Sequence, residues 1–203
     1  MMKRIAVLAS GEGTNLEAIL EAVERGEISG RVVLVISDRE KAPALERARR
    51  RGVRALFLDP RAFPGREAYD EALAAELQEA QVDLVVLAGF MRLLSPVMVR
   101  AFPMRIMNIH PSLLPSFPGT EGVRDALEYG VKVTGCTVHF VDEGLDTGPI
   151  ILQEAVPVIQ GDTVETLHAR IHAAEYRLYP RAIELFCQNK LRVEGRRCYI
   201  DAE

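Results

Sequence analysis

The chain has 203 residues, long enough for one substantial core and short for two full domains. Hydrophobic residues make up 48% and charged residues 27%, the proportions of a soluble globular protein, and a net charge of -4 argues against nucleic acid or an anionic membrane as the main partner. No apolar run approaches the roughly 20 residues that span a bilayer, and the short apolar run at residues 5–9 is not expected to act as a signal peptide.

In chain order, residues 4–10 read as an apolar strand, followed by the loop Ser10-Gly11-Glu12-Gly13-Thr14-Asn15. A helix follows with Leu16, Ile19, Leu20 and Val23 on one face, and the spacing of Thr14 and Glu17 predicts a capping box at its start. Residues 31–37 form a continuous apolar run, as a strand covered on both faces does. A helix over 43–51, a strand over 53–58 and a loop over 61–65 come next. The helix starting near Arg66 places Tyr69, Leu73, Leu77 and Ala80 on one stripe. Residues 82–88 read as a buried strand, residues 96–101 as a short helix and residues 106–110 as another strand. This alternation predicts a parallel sheet with right-handed crossovers and helices on both faces, a Rossmann-like α/β architecture.

After Gly119 the pattern changes. A brief helix over 123–129 closes at Gly130, and residues 132–141 and 149–158 read as two strands joined by a short acidic loop, an antiparallel addition to the sheet. Residues 163–186 form the longest helix, with Val164, Leu167, Ile171, Ala174 and Leu178 toward the core and Asp162 or Thr163 as its cap. Residues 195–200 add an edge strand. No repeat or linker interrupts the chain, so a single domain over residues 1–203 is expected.

Chemistry concentrates at three places. In the strand over 106–110, Asn108 and His110 are two apart and project from one face, and Pro111 then ends the ladder. An amide and an imidazole there suit a reaction; they equally suit a strand end that meets water. Second, the Gly11-x-Gly13-x-Asn15 turn joins a strand to a helix start, where backbone N–H groups favour an anion. Leu16 stands where a dinucleotide fingerprint has glycine, which favours a phosphate, while Asp38 keeps a nucleotide-ribose reading open and a ligand-free glycine turn remains the alternative. Third, Asp142, Glu143 and Asp146 lie in the acidic loop. They read as a solvated turn unless one reaches His110, where a carboxylate would stabilise the imidazolium and fix its tautomer.

Other candidates point elsewhere. His168 and His172 share a helix face with Glu175, but Ala169 stands where a zincin motif has glutamate and no third ligand is evident, so a solvated or cleft-lining face fits better. His139 reads as a satisfied core histidine and Cys136 as part of a buried strand. The three cysteines lack metal-ligand spacing, and their odd number fits reduced thiols in a cytoplasmic protein. Arginine far outnumbers lysine, which fits either heat tolerance or a GC-rich genome.

Taken together, the loop at 10–15, Leu87-Ala88-Gly89-Phe90-Met91-Arg92-Leu93-Leu94-Ser95-Pro96, Asn108-Ile109-His110-Pro111-Ser112-Leu113-Leu114-Pro115 and Asp142-Glu143-Gly144-Leu145-Asp146-Thr147-Gly148-Pro149 occur in an order that resembles the glycinamide ribonucleotide formyltransferases, a folate-dependent formyltransferase family of purine biosynthesis. The resemblance runs from about residue 3 to 186. It implies direct attack of the substrate amine on the formyl carbon of 10-formyltetrahydrofolate, without a covalent enzyme intermediate. It assigns Asn108 to the oxyanion, His110 to proton handling and Asp146 to pairing with His110. It assigns Gly13, Thr14 and Asn15 to the substrate phosphate, Glu175 to the ribosyl-glycinamide and His172 to a neighbouring position. Met91, Arg92, Leu93 and Leu94, with Asn108, Val141, Asp142 and Glu143, fall to the folate pterin, and Arg66 to the folate's anionic tail. It further implies a phosphate-binding half over 1–100, a catalytic and folate half over 101–203, formylfolate as cosubstrate without a metal, a cytoplasmic location and a monomer or homodimer.

One segment departs from the pattern. Thr120-Glu121-Gly122-Val123-Arg124 replaces a histidine-containing stretch of some members, so no contacts are carried over to it. Methionyl-tRNA formyltransferase and formyltetrahydrofolate-hydrolysing enzymes share the Asn/His/Asp set but carry further domains, and a nucleotide-binding module would leave that set without a task.

Overall fold

The apolar runs of the first half become strands buried on both faces, as a parallel sheet covered by helices requires. In the computed structural model, which describes residues 1–202, the strands are β1 (Arg4–Leu8), β2 (Arg31–Ser37), β3 (Arg54–Phe57), β4 (Leu84–Leu87), β5 (Ile106–His110), β6 (Val133–Phe140), β7 (Ile150–Pro157), β8 (Leu191–Glu194) and β9 (Arg197–Ile200). They form one sheet in the order β3-β2-β1-β4-β5-β6-β7-β9-β8. The helices are α1 (Thr14–Glu24), α2 (Pro43–Arg50), α3 (Arg66–Glu79), α4 (Pro96–Ala101), α5 (Gly122–Tyr129) and α6 (Val164–Cys187). The α/β class, mostly parallel with an antiparallel C-terminal part, is the one the alternation predicts. By compactness the chain divides into two units, Met1–Met107 and a second beginning at Asn108, so the division falls within β5.

In the first unit β1 pairs in parallel with β2 and β4, and β2 with β3. Ile5, Ala6, Val7 and Leu8 are fully buried. The predicted capping box does not form. Gly13 is the N-cap of α1 in the left-handed region, at φ 75°, which makes Thr14 the first helical residue and moves Glu17 out of capping register. Glu17 instead meets Arg47 at 3.1 Å and Arg51 at 2.7 Å. Hydrogen bonding to Arg51 leads the causes that hold its carboxyl below the usual range. On the inner face of α1, Ala22 is buried, while Val23 is only half-buried. The expected loop after β3 contains a 3-10 turn at Pro60–Ala62, capped by the Asp59 side chain.

In the second unit β6 and β7 pair antiparallel from Val133↔Pro157 to His139↔Ile150, as the hairpin reading predicts. Gly130 closes α5 in the left-handed region at φ 88°. At the start of α6, Thr163 caps and forms a capping box with Thr166. Asp162 supports the same end, accepting bonds from Arg170 at 2.9 and 3.0 Å and from Thr166 at 2.8 Å, and the Arg170 guanidinium pulls its carboxyl far below the usual range. The expected edge strand at 195–200 is β9, but it is not the edge. β9 pairs in parallel with β7, and β8 pairs antiparallel outside it.

Candidate active site

The second unit gathers Asn108, His110, His139 and Asp146. β5 presents Asn108 and His110 from the same face, and its neighbour in the sheet order, β6, carries His139. His110 is buried, and its Nε2–H donates to the Phe117 carbonyl at 2.8 Å. That bond leaves Nδ1 as the nitrogen free to take or release a proton, and Nδ1 faces Asp146 Oδ2 at 3.6 Å, within ion-pair reach. Asp146 is held for this approach. Its backbone lies in the left-handed region at φ 53°, and its Oδ2 accepts the Gly119 N–H at 2.8 Å.

His139 completes the cluster, which sequence reasoning missed. Its Nδ1–H donates to the Phe140 carbonyl at 2.9 Å, leaving Nε2 as an acceptor. Burial lowers its pKa, outweighing the attraction of Asp146. The neutral ring can then accept the Asn108 amide N–H, whose nitrogen lies 3.4 Å from His139 Nε2. His139 therefore orients the amide of Asn108 while His110 faces the carboxylate. A histidine flanked by apolar residues on a buried strand gives no sequence signal of this. Its separation by two from Thr137, a second buried polar residue on the same strand face, is the one hint available.

Two loops are fixed around this cluster. Thr137 Oγ1 donates to Ser112 O at 2.7 Å and accepts from Leu114 N–H at 3.1 Å and Gln153 Nε2 at 3.0 Å, which uses its full capacity to hold the stretch after His110. In the loop between β6 and β7, Asp142 Oδ1 accepts from Gly144 N–H at 3.0 Å and from the Thr147 hydroxyl at 2.7 Å. Arg196, in the β8–β9 turn, donates to the Thr147 carbonyl at 2.7 Å. A Cβ on Gly148 would overlap the Phe140 carbonyl, so only glycine allows the chain to close there. Val141 and Asp142 are half-buried and Glu143 is exposed.

On α6, Glu175 is buried and lies 3.7 Å from His172 Nε2, and the His168 and His172 rings are tilted 42° to one another with centroids 4.0 Å apart. Burial lowers the pKa of both histidines. Among the described residues no group of three or more metal-ligating side chains converges.

The remaining predicted residues belong to the first unit. Gly13 is buried at the start of α1, Thr14 is exposed, and the buried Asn15 Oδ1 has no partner. Met91 and Leu93 are 65% and 58% exposed. The Arg92 guanidinium lies 4.3 Å over the Tyr69 ring, with its Nε buried and without a partner. Arg66 opens α3 beside an open groove lined by Pro64, Gly65, Glu67 and Glu71. Asp38, the candidate ribose carboxylate, accepts the Ser10 hydroxyl at 2.7 Å.

The formyl transferase family profile matches residues 3–183. The chain is 44% identical over 199 residues to the phosphoribosylglycinamide formyltransferase of Escherichia coli (strain K12), covering 98% of this chain and 94% of that protein. It is 42% identical over 183 residues to the enzyme of the same name from Bacillus subtilis (strain 168), covering 90% and 94%. It also matches much longer proteins: it spans 14% of the trifunctional purine biosynthetic protein adenosine-3 of Drosophila pseudoobscura pseudoobscura, at 48% identity. Among solved structures, glycinamide ribonucleotide transformylase 1 from Symbiobacterium toebii superposes with a TM-score of 0.98 at 62% identity, covering 99% of this chain and 95% of that one.

Proposed function

The chain belongs to the formyl transferase family, and we propose that it transfers the formyl group of 10-formyltetrahydrofolate to the amine of glycinamide ribonucleotide. The products are formylglycinamide ribonucleotide and tetrahydrofolate, a step of purine biosynthesis. The observation that carries this reading is the convergence of Asn108, His110 and Asp146, with His139, in one cluster of the second unit.

The chemistry follows from those groups. The amine nitrogen attacks the formyl carbon, a C–N bond forms, and negative charge gathers on the formyl oxygen. A donor already oriented toward that charge lowers the barrier, because it need not reorganise as the charge develops. Asn108, steered by neutral His139, supplies an amide N–H for this. The attacking nitrogen must lose a proton and the folate nitrogen must gain one as the original C–N bond breaks. His110 handles this transfer at Nδ1, beside the fixed negative charge of Asp146. No covalent intermediate is needed. Cys136, the buried thiol of β6, is pushed up to about 12 by burial and is no nucleophile at neutral pH.

Gly13, Thr14 and Asn15 are assigned to the substrate phosphate, supported by the backbone N–H groups at the start of α1. Glu175 and His172 take the ribosyl-glycinamide. Met91, Arg92, Leu93, Leu94, Val141, Asp142 and Glu143 take the folate pterin, and Arg66 its anionic tail. No described helix is long and apolar enough to cross a membrane. The three cysteines are not joined in disulfides, which fits a reducing cytoplasm, where the enzyme acts as a monomer or homodimer on small molecules.

The test is formyl transfer with both substrates beside a control lacking glycinamide ribonucleotide. Formylated product that depends on the acceptor supports the reading. Release of tetrahydrofolate at a comparable rate without acceptor would replace it with hydrolysis.

A further inference from the structure

Inside the first unit, one buried hydroxyl ties three segments. Ser10, 1% exposed and two residues past β1, donates through Oγ to Asp38 Oδ1 at 2.7 Å and accepts the Met91 N–H at 2.8 Å. Its own N–H donates to the Gly89 carbonyl at 3.1 Å. A second buried acceptor closes the same segment at its far end: Asp70 accepts the Ser95 N–H at 2.6 Å. Between these anchors the Arg92 guanidinium rests on Tyr69, whose hydroxyl donates to the Leu58 carbonyl at 3.0 Å.

The segment needs such anchors. Residues 89–95 lie outside any helix or strand, yet Met91 and Leu93 turn apolar side chains to water. Exposed apolar side chains do not hold a loop in place, so its backbone must be fixed from below. A hydroxyl that donates to a carboxylate also becomes a better acceptor, so Asp38 strengthens the hold of Ser10 on Met91. Asp38 occupies the strand-end position of a ribose-binding carboxylate, but its Oδ1 accepts the Ser10 hydroxyl, which gives it a task within the fold.

We propose that Ser10 and Asp38 are positioning residues for formylfolate, fixing Met91 and the segment after it as a rigid wall, and that Asp38 binds no ribose. This rests on the assignment of Met91, Arg92, Leu93 and Leu94 to the folate site.

Three variants test it. Ser10→Ala leaves the Met91 N–H without its acceptor and is expected to raise KM for 10-formyltetrahydrofolate about tenfold, with KM for glycinamide ribonucleotide and kcat within about twofold. Asp38→Asn keeps a neutral oxygen for the Ser10 hydroxyl and is expected to raise the folate KM by less than about threefold, whereas Asp38→Ala follows Ser10→Ala. Amide hydrogen exchange of residues 89–94 in the ligand-free protein is expected to quicken in Ser10→Ala and Asp38→Ala. Unchanged exchange would overturn the relay itself. Faster exchange with an unchanged folate KM would overturn the folate assignment of this segment and leave the relay standing. A rise confined to the KM for glycinamide ribonucleotide in Asp38→Asn would return Asp38 to nucleotide binding and overturn the proposal. Failure of the parent reading is separable, because wild-type protein would then show no acceptor-dependent transfer.

Discussion

Gly13→Ala probes the loop at the start of α1 most sharply. Gly13 sits at φ 75° and ψ 32°, and a Cβ there would lie 2.8 Å from Ala44 Cβ, 2.9 Å from Ala44 Cα and 3.3 Å from Arg47 Cδ. The left-handed backbone costs an L-residue about 1–2 kcal/mol. The overlap adds about 1–3 kcal/mol, the range for overpacking a well-filled site. Helix α2 cannot retreat freely, because the Ala44 N–H donates to the Gly11 carbonyl at 3.2 Å and Arg47 Nε donates to the Glu12 carbonyl at 2.7 Å. A total of about 2–5 kcal/mol corresponds to a fall in Tm of roughly 5–15 °C for a chain of this size. Thermal unfolding by circular dichroism reads it. Adding Ala44→Gly removes the Cβ overlap but leaves the Cα overlap and the backbone strain, so it restores part of the loss. Gly11→Ala meets nothing within 4 Å and is the control, with stability close to wild type. A Gly13→Ala protein that melts within about 2 °C of wild type would refute the steric argument.

Two further outcomes follow from the second unit. Burial lowers the pKa of His139, and of His168 and His172, so between the lowered folded values and the unfolded value near about 6.5 the unfolded chain binds more protons. Their contribution to stability is therefore full above that unfolded value and declines as pH falls below it. The urea midpoint should drop between about pH 7.5 and 5.5, and drop less in His139→Asn; an equal drop in the two proteins would remove His139 from the effect. Arg196→Ala removes the bond to the Thr147 carbonyl beside Asp146, worth about 0.5–1.5 kcal/mol, and is expected to lower kcat about two- to tenfold while Tm falls by roughly 1–6 °C. An unchanged kcat would mean that Asp142 and the glycines hold the loop without Arg196.

The strands of the first half and most helices were legible because continuous apolar runs and 3.6-residue stripes report burial directly. The shared face of Asn108 and His110 was legible for the same reason, since strand alternation is local. What sequence could not supply was through-space arrangement. Asp146 reaches His110 only because Gly119 and a left-handed backbone aim it, and neither can be read from an acidic loop. His139 has the neighbours of a core histidine, and its Nε2 faces Asn108 only because β6 lies next to β5. The capping box failed because Gly13 took the cap, so the helix starts one residue earlier than the spacing of Thr14 and Glu17 suggested. The outer strand β8 was missed although Leu191 and Val193 alternate with Arg192 and Glu194. Four residues of alternation carry little signal without the turn at Gly195, which lies at φ 61°.

Asp146→Asn tests the central claim most directly. Asp146 Oδ2 accepts the Gly119 N–H at 2.8 Å, and an amide oxygen can keep that bond, so the substitution removes the charge facing His110 Nδ1 and little else. Steady-state formyl transfer measured with both substrates varied should show kcat down about 100-fold or more, with both KM values within a few-fold of wild type. A variant that folds, binds both substrates and turns over within about threefold of wild type would contradict the assignment of proton handling to the His110–Asp146 pair.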